Sequence, residues 1–190
     1  MIKSYFLPLT PLIVLLFTGC REYYPKPKAY LRVDTVEKYQ VVDGFSFARF
    51  ETVEGAGFLP EQKNNGEIWA NILYPAYSTQ FYGAYCRFNK GEIGLNKLTD
   101  DFYRLLEHNM QDEEVFYALY ENPDSALYAH IFYSDGMVAS PVRFFITDSV
   151  CRYFSGAIYF YDFLPCELRE PYIRFMSDEM THLIETFSWK

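Results

Sequence analysis

The residues with the clearest chemical signal lie near the N-terminus, where Thr18-Gly19-Cys20 follows Lys3 and an apolar run from Leu12 to Phe17. A basic start, a short apolar stretch and small residues before a cysteine are typical of a secretory signal peptide with a lipoprotein cleavage site. The Cys20 thiol would receive a diacylglyceryl group, and further acyl chains such as palmitate would follow. The apolar run is far shorter than the ~20 residues that a membrane span requires. Residues 1–19 therefore predict a cleaved signal peptide.

The residues after Cys20 predict where the anchored protein lies. Two or three acyl chains hold a protein at a lipid bilayer for practical purposes permanently. Arg21 is not the Asp that retains lipoproteins at the inner membrane in some bacteria, which favours the outer membrane. Only one acidic residue follows closely, which favours the periplasmic side over the cell surface. Prolines alternate with lysines within residues 20–28, which predicts an extended tether, with a docking peptide as the alternative.

Residue types that could catalyse a reaction do not form a catalytic pattern. Thr147-Asp148-Ser149 places a nucleophile beside an acid, but it separates two predicted strands, where Asp and Ser side chains bond to their own backbone. No Gly-x-Ser-x-Gly elbow accompanies it. The acidic runs at 100–101 and 112–114 favour solvated faces over a general acid–base pair. His130 falls within a predicted strand, where a hydrogen-bonded structural role is favoured. No catalytic residue is predicted.

The cysteines and histidines predict neither a metal site nor a cofactor. Cys86, Cys151 and Cys166 remain after the lipidated cysteine, an odd number for an oxidising compartment. Cys151 and Cys166 bracket a predicted strand and should lie too far apart for a bridge. We expect at most one disulfide, involving Cys86, and favour none. The three histidines are widely scattered and no Cys-x-x-Cys pair occurs, so no zinc site is expected.

The composition bounds the class of protein. The chain has 190 residues, of which 50% are hydrophobic and 20% aromatic, enough to bury the core of one domain. Removal of residues 1–19 takes away Lys3 alone among the charges, so the formal net charge changes from −8 to −9. Such a charge repels phosphate backbones and anionic lipid surfaces. Nucleic acid is therefore excluded as a partner, and the bilayer is contacted through the acyl anchor.

Three strands are predicted at the centre of the domain, over 127–133, 142–147 and 152–161. Each is rich in β-branched and aromatic residues, and turn-forming residues separate them, which predicts an antiparallel meander. In the middle strand, side chains alternate between an apolar face that begins with Val142 and a mixed face that begins with Arg143. The apolar face requires a cover, which we expect the helices to supply.

Two amphipathic helices are predicted, over 95–110 and about 168–187. The inward stripe of the first helix is expected to comprise Leu95, Leu98, Phe102, Leu105 and Asn109. Trp189, after the second helix, is expected to tuck under the sheet edge. Further strands are predicted over 29–33, 45–50, 68–74, 78–88 and 113–121. The prediction is thus one α+β domain over 29–190, an antiparallel sheet of six or seven strands covered by two principal helices.

Aromatic residues suggest a place where the domain could bind a partner. Tyr and Phe contribute 18 residues each, more than one core needs, so some should remain exposed, where Tyr suits protein contacts. The side chains expected to align on the mixed face of the meander are Tyr128, Arg143, Phe145, Tyr153 and Tyr159. The alternative is that the second helix or the N-terminal segment covers this face and makes these residues part of the core.

Two segments carry a resemblance to a known family. Residues 25–32 are PKPKAYLR and residues 143–160 are RFFITDSVCRYFSGAIYF. Together with the closing helix and Trp189-Lys190, they resemble the gliding-motility lipoprotein GldD family of Bacteroidota over nearly all of the mature chain. The resemblance implies an envelope lipoprotein that assists the gliding and type IX secretion machinery, bound to other envelope proteins and without established enzymatic activity. The alternative is an envelope hydrolase, or a small-ligand-binding domain with a pocket between sheet and helices.

Overall fold

The computed structural model describes residues 33, 38–88, 94–111, 113–161 and 169–190. These residues belong to the compact unit that spans Leu31–Lys190. The predicted signal peptide, Cys20, the tether, most of the strand predicted at 29–33, and Cys166 lie outside the described residues.

Within this part of the chain, eleven strands form two antiparallel sheets with two helices. The strands are β1 (Tyr39–Val42), β2 (Ala48–Val53), β3 (Gly57–Phe58), β4 (Gln62–Asn64), β5 (Glu67–Tyr74), β6 (Thr79–Arg87), β7 (Phe116–Asn122), β8 (Leu127–Tyr133), β9 (Val142–Thr147), β10 (Arg152–Phe160) and β11 (Ser188–Trp189). The helices are α1 (Leu95–Met110) and α2 (Glu170–Thr186). The eight-stranded sheet has the order β3-β5-β6-β10-β9-β8-β7, with β4 also paired to β5, and the three-stranded sheet has the order β1-β2-β11.

The α+β class, the antiparallel meander of β8, β9 and β10, and the two helices are confirmed. The number of strands is larger than the six or seven predicted. The additional strands are short: β1, β3, β4 and β11 have two to four residues each, and so few residues show no alternation. The strand predicted at 45–50 begins at Ala48, because Phe45–Phe47 form a bend before β2.

The main core lies between one face of the large sheet and a cover made by α2 and the three-stranded sheet. As predicted, alternate residues of β9 from Val142 form the apolar face, and Phe144 has no exposed surface. Helix α2 contributes Met176, Met180 and Leu183 to the same cluster. The C-terminus closes this side because β11 pairs with β2 and Trp189 packs against the cluster.

The first helix, α1, covers the opposite face of the sheet, so the expectation that both helices cover the apolar face is wrong. Phe102, Leu106 and Met110 of α1 pack in a separate cluster with Phe132 and Phe145. The mixed face carries enough aromatic surface to require its own cover, and burial of that surface holds α1 in place. The sheet is therefore covered on both faces.

The inward stripe of α1 is rotated from the predicted one. Leu106 and Met110 are buried, whereas Leu105 is 54% exposed. Asn109 is oriented by a hydrogen bond in which its Nδ2 donates to the Ser140 carbonyl at 2.9 Å. Residues four apart lie on one face of a helix, so the stripe through Phe102, Leu106 and Met110 is as regular as the predicted one. Local periodicity did not distinguish the two.

Among the described residues, neither helix is long and apolar enough to cross a membrane. Cys86 and Cys151 are free thiols.

Candidate functional site

A cleft of about 520 Å³ opens between α1 and the outer face of the large sheet, on the side away from the main core. Strands β5, β6 and β10 supply its base, because their alternate side chains point to this face. Helix α1 supplies one wall through Leu98, Phe102 and the exposed Leu105. The cleft therefore exists where α1 leaves part of the sheet uncovered.

Small side chains form the floor of the cleft. Ser155 lies opposite Ala84, and Ala157 lies opposite Tyr82, in the antiparallel register of β10 and β6. Three short neighbours, Ala84, Ser155 and Ala157, leave room that longer side chains would fill. The sequence therefore builds a depression into the sheet at this point.

Aromatic side chains line the cleft around this floor. Trp69 and Tyr82 are exposed, and the Tyr82 ring meets Tyr159 edge-to-face with centroids 5.5 Å apart. The Trp69 Nε1 donates a hydrogen bond to Glu67 Oε2 at 3.2 Å, which orients the indole ring. Such side chains offer a large contact area while their polar atoms stay available for hydrogen bonds.

Arg143 places a positive charge at one side of the cleft. Its Nη2 donates to the Tyr159 hydroxyl at 3.3 Å, and its Nε donates to Ser140 Oγ at 3.2 Å. No ion pair found among the described residues involves Arg143. The guanidinium is thus held in position by neutral hydroxyl groups. Its charge remains available for an acidic or carbonyl group of a bound molecule.

Two carboxylates also line the cleft. Asp101 is paired with Arg104 on α1 at 2.8 Å, and Glu67 is the acceptor for the Trp69 indole. Cys86 lies nearby, and burial, together with the negative charge of Glu67, raises the pKa of its thiol to about 11. Because a thiol with this pKa is almost fully protonated at neutral pH, Cys86 is a poor nucleophile. The arrangement suits the binding of an amphipathic group better than covalent chemistry.

The structure separates the five residues predicted as a partner-binding patch. Arg143, Tyr153 and Tyr159 line the cleft, whereas Phe145 and Tyr128 do not. Phe145 and Tyr153 are buried in the cluster beneath α1. The idea of a continuous exposed patch is therefore wrong for these two residues, because α1 covers them.

Sequence reasoning missed Trp69 and Tyr82, which the structure places in the same cleft as Arg143 and Tyr159. Alternation along residues 78–88 does place Tyr82 on the face opposite Phe81. The local pattern does not indicate that β6 pairs with β10, because the two strands are about 75 residues apart in the chain.

The other candidates for chemistry have structural roles. Asp148 Oδ1 accepts the backbone N–H groups of Val150, Cys151 and Arg152 at 2.8–2.9 Å, so the predicted turn role is confirmed. His130 Nδ1 and the Tyr103 hydroxyl are 2.9 Å apart, and burial lowers the pKa of this histidine. In the described part of the chain, no cluster of His, Cys, Asp and Glu is suited to a metal ion.

A comparison with protein families identifies the family to which this chain is similar. The family model for the gliding motility lipoprotein GldD matches residues 20–189, which include Cys20 and every strand and helix described above. No curated protein matches the chain.

Proposed function

The chain belongs to the gliding motility lipoprotein GldD family, and from this we propose that it is a non-enzymatic accessory of the gliding and type IX secretion machinery. The lipoprotein family supports an envelope protein held at a membrane. The lipoprotein cleavage pattern at Cys20 supports the same anchoring. In this proposal the protein works by binding other envelope proteins.

Deletion of the coding sequence tests the proposed role. We expect cells without the protein to lose both surface spreading and secretion of type IX substrates. Reintroduction of the gene should restore both. Normal spreading and normal secretion in the deletion strain would contradict the proposal.

Lipidation of Cys20 is tested by Cys20→Ala. The variant should incorporate no radioactive fatty acid and should accumulate as an uncleaved or mislocalised precursor. Cys86→Ala is the matched control, because Cys86 is a free thiol of the folded domain and its loss should leave the label unchanged. Equal label in the Cys20→Ala protein would overturn the lipoprotein assignment.

We place the protein at the outer membrane with its domain in the periplasm, on the grounds of Arg21 and the scarcity of acidic residues after Cys20. Protease treatment of intact cells tests the orientation. The domain should resist protease until the outer membrane is permeabilised. Digestion in intact cells would place it on the cell surface instead.

The cleft is the surface that supports a binding role best. Its exposed Trp69 and Tyr82 line the same cleft as Arg143, which has no carboxylate partner in the described ion pairs. Aromatic residues and arginine are the side chains that contribute most often to binding energy at protein interfaces. Arg143→Glu should therefore abolish capture of an envelope partner that the wild-type protein binds, with the melting temperature nearly unchanged.

Tyr82→Ala should weaken the same interaction at least tenfold, because it removes an exposed aromatic ring from the cleft. The fold should be unaffected, since this ring contributes no core packing. Tyr161→Ala is the matched control, because Tyr161 is similarly exposed but lies outside the cleft. A control that weakens capture equally, or an Arg143→Glu protein that fails to fold, would show that the interaction site lies elsewhere.

A small-ligand-binding domain is the second candidate. The volume of the cleft lies within the range of about 300–1,000 Å³ that is usual for ligand pockets. Native mass spectrometry of protein purified gently from the envelope would detect a bound small molecule. Its presence in wild type and its loss in Tyr82→Ala would favour this candidate over protein docking.

A further inference from the structure

Strand β7 (Phe116–Asn122) forms an edge of the large sheet. It pairs with β8 on one side, and no other described strand pairs with it on the other. An edge strand presents backbone N–H and C=O groups that are free to pair with an added strand. The β7–β8 register runs residue for residue from Phe116 opposite Tyr133 to Asn122 opposite Leu127, without a bulge. The edge is therefore continuous over seven residues.

Natural proteins usually block such an edge with a very short strand, a charged residue (most often lysine), a proline or a bulge. The opposite edge of this sheet follows the rule, because it ends in β3 and β4, of two and three residues. Strand β7 has the sequence FYALYEN, which contains neither lysine nor proline, and its one charged residue, Glu121, lies next to its last residue. The two edges of one sheet thus differ, and only the β7 edge has the form of a template for strand addition.

The side chains of β7 are unusually apolar for an edge strand. Tyr117 is 68% exposed and Leu119 is 57% exposed, and they share the face on which α1 lies, since their register partners are Phe132 and His130. On the other face, the exposed Phe116 stacks on Tyr133 with centroids 5.1 Å apart. An added strand would therefore meet apolar neighbours on both faces.

The charge around β7 has one sign. Glu114, Glu121 and Asp124 are exposed on or beside the strand. No lysine or arginine occurs in the sequence between Arg104 and Arg143. If β7 of a second copy paired antiparallel with β7 about a two-fold axis at Leu119, Glu114 of one copy would lie opposite Asp124 of the other. In a shifted register the two strands would still bring no basic residue against these carboxylates, because the segment contains none. Because like charges opposite each other destabilise a strand pair, the charge disfavours a second copy and favours a basic segment.

We propose that β7 accepts an extended segment of a partner protein by β-strand addition, and that this segment has alternating apolar residues between flanking lysines or arginines. Backbone hydrogen bonds would give affinity, and the side chains of Tyr117 and Leu119 would give selectivity. The surface lies at the far edge of the sheet from the cleft, with β8 and β9 between β7 and β10. The proposal does not depend on the function proposed for the cleft.

Synthetic peptides test the proposal with the full mature chain in detergent micelles. The probe is a nine-residue peptide of alternating valine and threonine between terminal lysines, and binding is followed by fluorescence polarisation. We expect it to bind at least tenfold more tightly than the same peptide with terminal glutamates. A central proline should abolish binding, because proline removes a backbone donor and does not fit a strand pair. Equal binding of the lysine and glutamate peptides would overturn the proposal.

Tyr117→Lys with Leu119→Lys is the decisive variant, because it adds the lysines that normally protect an edge. It should weaken binding of the lysine peptide at least tenfold without a change in melting temperature, since both side chains are exposed. Val41→Lys with Tyr161→Lys, at two exposed positions outside β7, adds the same charge as the β7 variant and is the matched control, which should bind more tightly than the β7 variant. Unchanged binding by the double variant would overturn the proposal.

Two outcomes would replace the proposed occupant by another. A dimer in sedimentation experiments that the β7 variant abolishes would identify a second copy. Tighter peptide binding after removal of residues 21–32 would identify that segment of the chain, which also carries basic residues. Monomeric behaviour, with peptide affinity unchanged by the removal, supports a partner protein.

Discussion

Glu179 is a single carboxylate within the main core, with 1% of its surface exposed. Its Oε1 accepts hydrogen bonds from Thr52 Oγ1 at 2.6 Å and from the Val53 amide at 2.8 Å. Its Oε2 is buried and has no hydrogen-bond partner among the described residues. Burial raises the pKa of Glu179, although these hydrogen bonds and the nearby His182 act to lower it. The charged form is therefore disfavoured in the folded state.

Glu179→Gln should change how stability depends on pH. Because the folded state holds the proton more tightly than the unfolded state, Glu179 contributes most stability below its unfolded pKa of about 4.3. That contribution is lost as the pH rises through the raised folded pKa. Thermal denaturation at pH 4 and pH 8 should thus show Glu179→Gln gaining stability relative to wild type at pH 8. Glu185→Gln, at an exposed position on the same helix, is the control. An equal stability difference between Glu179→Gln and wild type at both pH values would contradict the expectation.

The pKa of Asp148 is shifted in the opposite direction, below its usual value. Burial acts to raise the pKa of its carboxyl, but hydrogen bonds from three backbone amides outweigh burial and hold the pKa below its usual value. The contribution of Asp148 to the stability of the fold is present above its unfolded pKa and is lost as the pH falls through its folded pKa. Asp148→Ala should cost about 1–3 kcal/mol at pH 7, because it leaves three partly buried backbone donors without their acceptor. Denaturant unfolding measures this cost, which should shrink at pH 3, and Ser149→Ala in the same turn is the control.

The sequence located part of the candidate site. Alternation in β9 and β10 placed Arg143 and Tyr159 on one face, and both line the cleft. Phe145 lies on the same face but is buried, because α1 crosses the sheet at that position. Trp69 joins the site through strand pairing distant in sequence. Alternation fixes the face of a side chain, whereas tertiary packing decides whether that side chain is covered.

At the scale of elements, the centre of the large sheet depends on two glycines. Gly83 of β6 and Gly156 of β10 are register partners. The Phe81 ring lies over both, so a Cβ at either position would clash with it. Phe81 also stacks on Phe144 with centroids 5.4 Å apart, which limits its freedom to move. The pair of glycines therefore leaves the space that this ring occupies.

Gly156→Ala should destabilise the fold by about 1–3 kcal/mol, the usual cost of an overpacked core. Denaturant unfolding measures the effect. Gly44→Ala is the matched control, because a Cβ at Gly44 meets no atom within 4 Å, and its stability should change little. A second variant, Gly156→Ala with Phe81→Leu, should recover part of the loss if the ring is the obstacle. No recovery would indicate that the strand backbone is the obstacle instead.

The elements that the sequence predicted best are the long ones. The strands of the meander and both helices have enough residues for their periodicity to be visible, and their bounds differ little from those predicted. Strands such as β3 and β11 have two residues each, and they exist because a longer neighbour offers free backbone groups. A strand of two residues has no periodicity of its own, and its partner lies elsewhere in the chain, such as Leu73 for Gly57 and Ala48 for Trp189, so no local pattern indicates it.

At the scale of the whole domain, the large sheet separates two hydrophobic clusters of unequal size. Among the described residues, the cluster on the α2 side contains 25 buried residues, and the cluster on the α1 side contains eight. Helix α2 has seven buried residues, whereas α1 has three. Elements with few buried apolar contacts open locally with less free energy than global unfolding requires. Helix α1, which forms a wall of the cleft, should therefore open separately from the rest of the domain.

Hydrogen exchange with two matched leucine variants tests this expectation. Leu183→Ala in α2 removes a fully buried side chain from the larger cluster and should cost about 2–5 kcal/mol of global stability. Exchange should then quicken in all slowly exchanging strands. Leu106→Ala removes a buried leucine from the smaller cluster. It should quicken exchange mainly in the amides of α1, because the main core remains closed while the helix lifts from the sheet. If Leu106→Ala instead quickens exchange in β9 and α2 as much as in α1, the two faces unfold as one unit, and the wall of the cleft is as rigid as the core.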